Sequence, residues 1–262
     1  MKHITSAQNE QLKHLAKLLS QAKARREHGQ TVLEGAHLLQ AYLQSGGVPE
    51  QVYIPESKAA QAETSALTAQ LPADVLTLVS SAASAKITSL TEAEEIMTLI
   101  ALPQPSALPQ TGDCVVLERV QDPGNVGTIL RSAAAAGVDE IVLSADSADV
   151  WSPKVLRAGM GAHFLLRLHA RADVLQWRAG YTGSVWATAL TDDNNHSLYA
   201  LDLRGAAAWV FGNEGSGVSE ALLSGVEGSV KIPMAGATES LNVAMAATVC
   251  LFEQMRQRLE AV

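Results

Sequence analysis

Residues 114–145 read CVVLERVQDPGNVGTILRSAAAAGVDEIVLSA, and their hydrophobic rhythm changes twice. CVVLERV is a short apolar run rich in valine, as a buried strand requires. The stretch near 126–137 is rich in alanine and reads as a helix, and EIVLSA is a second strand-like run. Between the first strand and the helix, Asp122-Pro123-Gly124-Asn125 is turn chemistry, with Asn125 the expected N-cap. Strand, crossover helix and strand form the repeating unit of a parallel sheet covered on both faces.

The same alternation continues downstream. HFLLRLHA, SVWATAL, AAWVFGN and VKIPM read as further strands, and helices are expected near 153–159, 217–224 and 240–259. The expected architecture is therefore α/β with a mainly parallel sheet. Upstream, LPQPSALPQTGD (102–113) packs Pro103, Pro105 and Pro109 into one interval that continues neither helix nor central strand. Before it, Leu12, Leu15, Leu18 and Leu19 keep helical spacing, and TVLEG, QVYIP, VLTLV and IMTLIAL read as strands interleaved with helices at 35–45 and 57–69. The expected organisation is a smaller α/β domain over 1–102, a linker over 103–112 and a larger domain over 113–262.

Composition narrows the function classes. With 47% hydrophobic and 18% charged residues the chain has a globular balance, and no apolar run is long enough to span a bilayer. The N-terminus mixes charge with leucine and lacks a signal-peptide core, so a cytoplasmic location is expected. Cys114 and Cys250 sit in apolar surroundings without ligand spacing, and no metal is expected. The net charge of −8 disfavours indiscriminate nucleic-acid binding. Residues 1–30 run against that average: Lys2, Lys13, Lys17, Lys23, Arg25 and Arg26 face only Glu10 and Glu27. Of these, Lys13, Lys17, Lys23, Arg25 and Arg26 are candidate contacts to RNA phosphate; a merely solvated helix face is the alternative.

In a parallel sheet, ligands bind where loops leave the C-terminal strand ends. Three loops stand out. The first carries Asn125 and, nearly two helical turns on, Arg131. The second, FGNEGSG (211–217), follows a strand and offers Gly212, Gly215 and Gly217 for close approach or positive φ, beside Asn213 and Glu214. No dinucleotide or P-loop fingerprint accompanies it. The third runs from Ile232-Pro233-Met234 to Glu239-Ser240-Leu241-Asn242 at the start of a small-residue helix.

In order, spacing and identity, NVGTILR (125–131), FGNEGSG (211–217) and IPMAGATESLNVAMAA (232–247) resemble the three motifs of the SpoU/TrmH-type RNA 2′-O-ribose methyltransferases of the SPOUT superfamily. SPKVLRAGMGAHF (152–164) resembles the family's intervening stretch. The N-terminal part is similar to the L30e/L7Ae-like substrate-binding domain of such enzymes, although TEAEE (91–95) replaces the proline- and glycine-containing turn of that pattern. The resemblance implies a SPOUT domain with a deep C-terminal trefoil knot, a homodimer, and S-adenosylmethionine as cofactor. It places Thr188, Leu190, Gly212, Gly217, Ile232, Met234 and Leu241 around that cofactor. It assigns Arg131, Asn125, Glu214, Ser240 and Asn242 to the reaction.

The expected reaction is methyl transfer to a ribose 2′-hydroxyl of RNA, with ribosomal RNA favoured over transfer RNA. Base methylation by another SPOUT branch and a non-catalytic role in ribosome assembly are the competing readings. In the family, the residue matching Arg131 is proposed to activate the hydroxyl. A guanidinium stays protonated, so an electrostatic clamp on the emerging alkoxide and adjacent phosphate is the preferred role. His163, His169 and His196 are read as structural or surface residues.

Overall fold

The computed structural model describes residues 2–87, 95–104, 106–189 and 195–260. Two compact units divide the chain: Met1–Gln104 with Trp151–Phe164, and Pro105–Val150 with Leu165–Val262.

The first unit opens with β1 (Lys2–Ile4), α1 (Glu10–Ser20), α2 (Ala22–His28), β2 (Gln30–Glu34) and α3 (Ala36–Gln44). It continues with β3 (Gln51–Pro55), α4 (Ala62–Thr68), β4 (Leu76–Val79), α5 (Ser81–Ser84) and β5 (Met97–Ala101). The strands form one sheet in the order β1-β4-β3-β5-β2, with β5 antiparallel to both its neighbours. Leu12, Leu15, Leu18 and Leu19 are all buried, so the helical spacing read from the sequence is the core face of α1.

The second unit carries β6 (Cys114–Leu117), α6 (Pro123–Ala136) and β7 (Glu140–Ser144). The chain then makes an excursion through α7 (Pro153–Gly159), which packs on β2 as part of the first unit. Arg157 Nη1 lies 2.7 Å from Glu34 Oε2, and Thr31 Oγ1 donates to the Trp151 carbonyl at 2.9 Å. The second unit resumes with β8 (Arg167–Ala172), α8 (Val174–Gly180), β9 (Ser184–Thr188), β10 (Asn195–Ser197) and β11 (Ala207–Phe211). It ends with α9 (Glu220–Leu223), β12 (Gly228–Lys231) and α10 (Val243–Leu259). Its seven-stranded sheet has the order β10-β12-β9-β11-β6-β7-β8, and every pairing among the described residues is parallel.

Several local expectations are corrected. Asp122, not Asn125, caps α6: its Oδ1 accepts the Asn125 amide at 2.9 Å, and Pro123 occupies the first turn, where its missing N–H costs nothing. His163, Phe164 and Leu165 of HFLLRLHA lie in the 3₁₀ turn Ala162–Leu165, and β8 begins only at Arg167. β12 stops at Lys231, leaving Ile232-Pro233-Met234 outside the ladder. Both cysteines are buried free thiols whose pKa burial pushes up. No helix among the described residues is long and apolar enough to cross a membrane.

α10 is tied to the first strand of its sheet by Asp113. That carboxylate receives Arg258 Nη2 at 2.8 Å, Gln254 Nε2 at 3.1 Å and the Ala207 amide at 3.1 Å; Gln254 in turn accepts Trp209 Nε1 at 2.7 Å. Burial alone would raise the Asp113 pKa, but Arg258 and the two neutral donors outweigh it and hold the carboxyl below its ordinary value. A depressed folded-state pKa contributes stability that is complete above the unfolded value and is lost as pH falls through the folded one. Asp113→Ala is therefore expected to cost about 2 kcal/mol at neutral pH and much less in acid below the ordinary aspartate range. Urea unfolding at the two pH values checks both arms.

Candidate active site

The switch point of the sheet lies between β6 and β11, where neighbouring strands send their chains in opposite directions across the sheet. The loops leaving β6, β11 and β12 meet there. Asn242 caps α10, its Oδ1 accepting the amides of Ala244 at 2.9 Å and Met245 at 3.3 Å. Its Nδ2 donates to Asn125 Oδ1 at 2.9 Å, and Asn125 Nδ2 donates to Glu214 Oε1 at 3.0 Å. One hydrogen-bonded chain thus joins all three loops. Farther along, Ser132 and Thr248 hydroxyls meet at 2.6 Å where α6 and α10 pack.

Glu214 also accepts the backbone amides of Gln121 at 3.2 Å and Asp122 at 3.1 Å. Partial burial would raise its pKa, but the Asn125 side chain and the amides around it prevail, keeping the carboxyl below the usual glutamate value. An ionised carboxylate whose two oxygens are engaged by donors is a staple; it is a poor general base.

The glycines of FGNEGSG serve the loop's own turn. Asn213 and Gly217 exchange backbone hydrogen bonds at 3.1 and 2.9 Å, while Asn213 Oδ1 collects the amides of Gly215 and Ser216, each at 3.0 Å. Gly217 has φ +67°, and a Cβ on Gly212 would stand 2.2 Å from the Gly217 carbonyl carbon. The close approach expected of Gly212 is thus an approach to its own loop.

The loops leaving β11 and β12, with the end of β9, line a cavity of about 710 Å³. Thr188, Gly212, Gly217, Ile232, Met234 and Leu241 line it, as do Glu214, Ser240 and Asn242. Leu190 lies outside the described residues, as do residues 91–94 of TEAEE. The cavity suits a ligand the size of S-adenosylmethionine: apolar wall from Val218, Leu223, Val230, Ile232 and Leu241 faces a polar rim of loop backbone. Asn125 stands behind the lining, bonded to two residues of it. Arg131 is not brought into this network. It is exposed on α6, and among the described residues its guanidinium has no hydrogen-bond or ion-pair partner.

Of the cationic set, Lys13, Lys17, Lys23 and Arg26 are exposed, with Lys13 2.8 Å from Glu10 and Lys23 3.6 Å from Glu27. Arg25 is buried, its guanidinium donating to the Leu18 and Leu19 carbonyls at the end of α1. It closes a helix and presents no charge to phosphate. Glu118, Arg119 and Ser219, which no motif marks, join the loop after β6 to the loop after β11. Their one signal is a glutamate ending an otherwise apolar strand. Among the described residues no cluster of histidine, cysteine, aspartate or glutamate has the make-up of a metal site.

Residues 113–252 match the SpoU rRNA Methylase family, and residues 9–98 match the MRM3-like substrate binding domain. The chain belongs to the SpoU rRNA methylase family. All three loops of this SpoU methylase fall within the first match. An uncharacterized tRNA/rRNA methyltransferase of Synechocystis, slr1673, is 37% identical over 98% of the chain and 95% of that protein. The 23S rRNA (guanosine(2553)-2′-O)-methyltransferase RlmP of Bacillus subtilis is 31% identical over 96% of the chain and 98% of its own length. Among solved structures, the AdoMet-bound rRNA methyltransferase from Sinorhizobium meliloti is 28% identical, with a TM-score of 0.81 over 97% of each chain. The fold and cofactor expected from the motifs agree with these relatives; S-adenosylmethionine is the cofactor.

Proposed function

We propose that this SpoU methylase methylates a ribose 2′-hydroxyl in 23S ribosomal RNA, using the cavity at the ends of β9, β11 and β12 to hold S-adenosylmethionine. The observation that carries the reading is the Asn242–Asn125–Glu214 chain, which ties the first family motif to the two motifs that line the cavity. The full-length similarity to RlmP supports ribose and ribosomal RNA over the base-methylating and transfer-RNA alternatives.

The bound cofactor supplies an electrophilic methyl group; the chain must bring a weak nucleophile in line with it and stabilise the charge that develops. Arg131 is the group available for that charge, because its guanidinium is exposed and uncommitted among the described residues. It clamps the emerging alkoxide and the neighbouring phosphate as a permanent cation, and proton removal falls to phosphate or water. Glu214, Asn125 and Asn242 position the loops, and Ser240 lies on the cavity wall where a hydroxyl can orient the ribose. Thr188, Leu190, Gly212, Gly217, Ile232, Met234 and Leu241 hold the cofactor.

A homodimer belongs to the same reading. Met245, Phe252 and Leu259 recur at seven-residue spacing on α10 with 49%, 38% and 68% of their surface exposed, an apolar stripe that a second copy can cover. Phe252→Glu should convert dimer to monomer in light scattering; an unchanged mass would remove this face from the interface. The return of α10 to α6 supports the trefoil knot of the family. The N-terminal unit, with Lys13, Lys17, Lys23 and Arg26 exposed, is read as the RNA-recruiting part, and the cytoplasm as the site of action. Mapping of 2′-O-methylated nucleotides in 23S RNA from cells with and without the protein tests the whole. One site absent without it is the expected result, and an identical methylation map overturns the proposal.

A further inference from the structure

Arg119 lies two residues past the end of β6 and adopts φ +58°, a left-handed conformation that costs a residue with a Cβ about 1 kcal/mol or more. Strain of this kind persists only where the surroundings hold it. Here four contacts do so. The Arg119 amide donates to Ser144 Oγ at 2.9 Å, and its carbonyl accepts Asn213 Nδ2 at 2.9 Å. Its Nη2 donates to the Gly217 carbonyl at 3.2 Å and stands 3.6 Å from Glu118 Oε2.

Glu118 is buried, and its carboxylate accepts the Ser219 amide at 2.7 Å and the Ser219 hydroxyl at 2.5 Å. Residues 118 and 119 therefore grip the glycine loop at its start through Asn213, at its turn through Gly217 and at its exit through Ser219. That loop forms one wall of the cavity, Gly217 and Val218 included. The guanidinium also neutralises the carboxylate that holds the exit.

We propose that Arg119 is a positioning residue for cofactor binding: its strained backbone and its guanidinium together set the Gly217 carbonyl, and so the separation of the glycine loop from the wall supplied by β12. This rests on the S-adenosylmethionine reading of the cavity. It differs from the role of Arg131, since Arg119 acts through the loop and not on the RNA.

Arg119→Asn isolates the guanidinium, because asparagine tolerates the left-handed region better than most residues. In calorimetric titration with S-adenosylmethionine, the variant should bind roughly tenfold more weakly than wild type, the loss of one charge-assisted contact. Amide exchange over 212–219 in the cofactor-free protein should accelerate, while exchange over β6 stays at the wild-type rate. Arg119→Lys, which keeps the cation beside Glu118, should recover part of the affinity. If Arg119→Asn does not fold, Glu118→Gln/Arg119→Asn removes the buried charge as well and is expected to show the same weakened binding. Wild-type affinity in a folded variant lacking the guanidinium overturns the role of Arg119 alone. Absence of binding by the wild-type protein overturns the cofactor reading, and this inference with it.

Discussion

Replacing Arg131 with lysine is expected to leave S-adenosylmethionine binding at its wild-type value and to lower turnover by about a hundredfold or more. Lysine keeps the charge, so a loss of that size isolates the planar fork, which can engage an alkoxide and a phosphate oxygen together where an ammonium acts as a point. Cofactor affinity should survive because Arg131 is neither in the cavity lining nor bonded to the loops that form it. Single-turnover methylation beside calorimetric titration separates the two. Wild-type turnover in the lysine variant would falsify the clamp.

The second large effect concerns a residue with no side chain. A methyl on Gly212 would meet the Gly217 carbonyl carbon at 2.2 Å, the Val218 nitrogen at 2.3 Å and the Gly217 oxygen at 2.5 Å. All three are backbone atoms, so no rotamer can yield; the Asn213–Gly217 bridge has to open. Gly212→Ala should therefore reduce cofactor affinity by up to about a hundredfold, from overpacking of about one to three kcal/mol, with circular dichroism near wild type. A graded series sharpens the test. Gly215→Ala should be mild, since its Cβ would lie 3.6 Å from Asn213 Oδ1. Gly217→Ala meets no atom within 4 Å but carries φ +67°, so a cost of about 1 kcal/mol is expected. Equal affinity across the three variants would mean that the loop's shape does not govern the cavity.

Reading the sequence recovered what periodicity and motif spacing encode. Strand–helix–strand patterning over 114–145 is visible as β6, α6 and β7, because burial on both sides leaves little choice but valine, isoleucine and leucine. The site's ring of loops was legible from Asn125, Glu214 and Asn242, whose bonding pattern was not. What escaped depends on distant partners. Arg25 looks like any cation on a basic helix until the carbonyl ends of α1 are placed beside it. Arg119 has neither period nor motif to mark it, only a backbone angle. β10, Asn195–Ser197, is polar and short, and becomes a strand through pairing with β12 at the sheet edge. Asp122 as cap was within reach: a proline at the first helical turn points to the residue before it.

The excursion through α7 bears on how this protein can be recombined. The proline-rich stretch at 103–112 invites a cut there, with the head of one methylase fused to the catalytic half of another. Such a hybrid would part Glu34 from Arg157 and Thr31 from the Trp151 carbonyl, and the transplanted half would arrive with a helix shaped for a sheet left behind. Residues 151–164 travel with the head in three dimensions and with the catalytic half in sequence. The N-terminal unit of this protein is therefore exchangeable only as a discontinuous cassette, the residues up to Gln104 together with fourteen, 151–164, from beyond the joint.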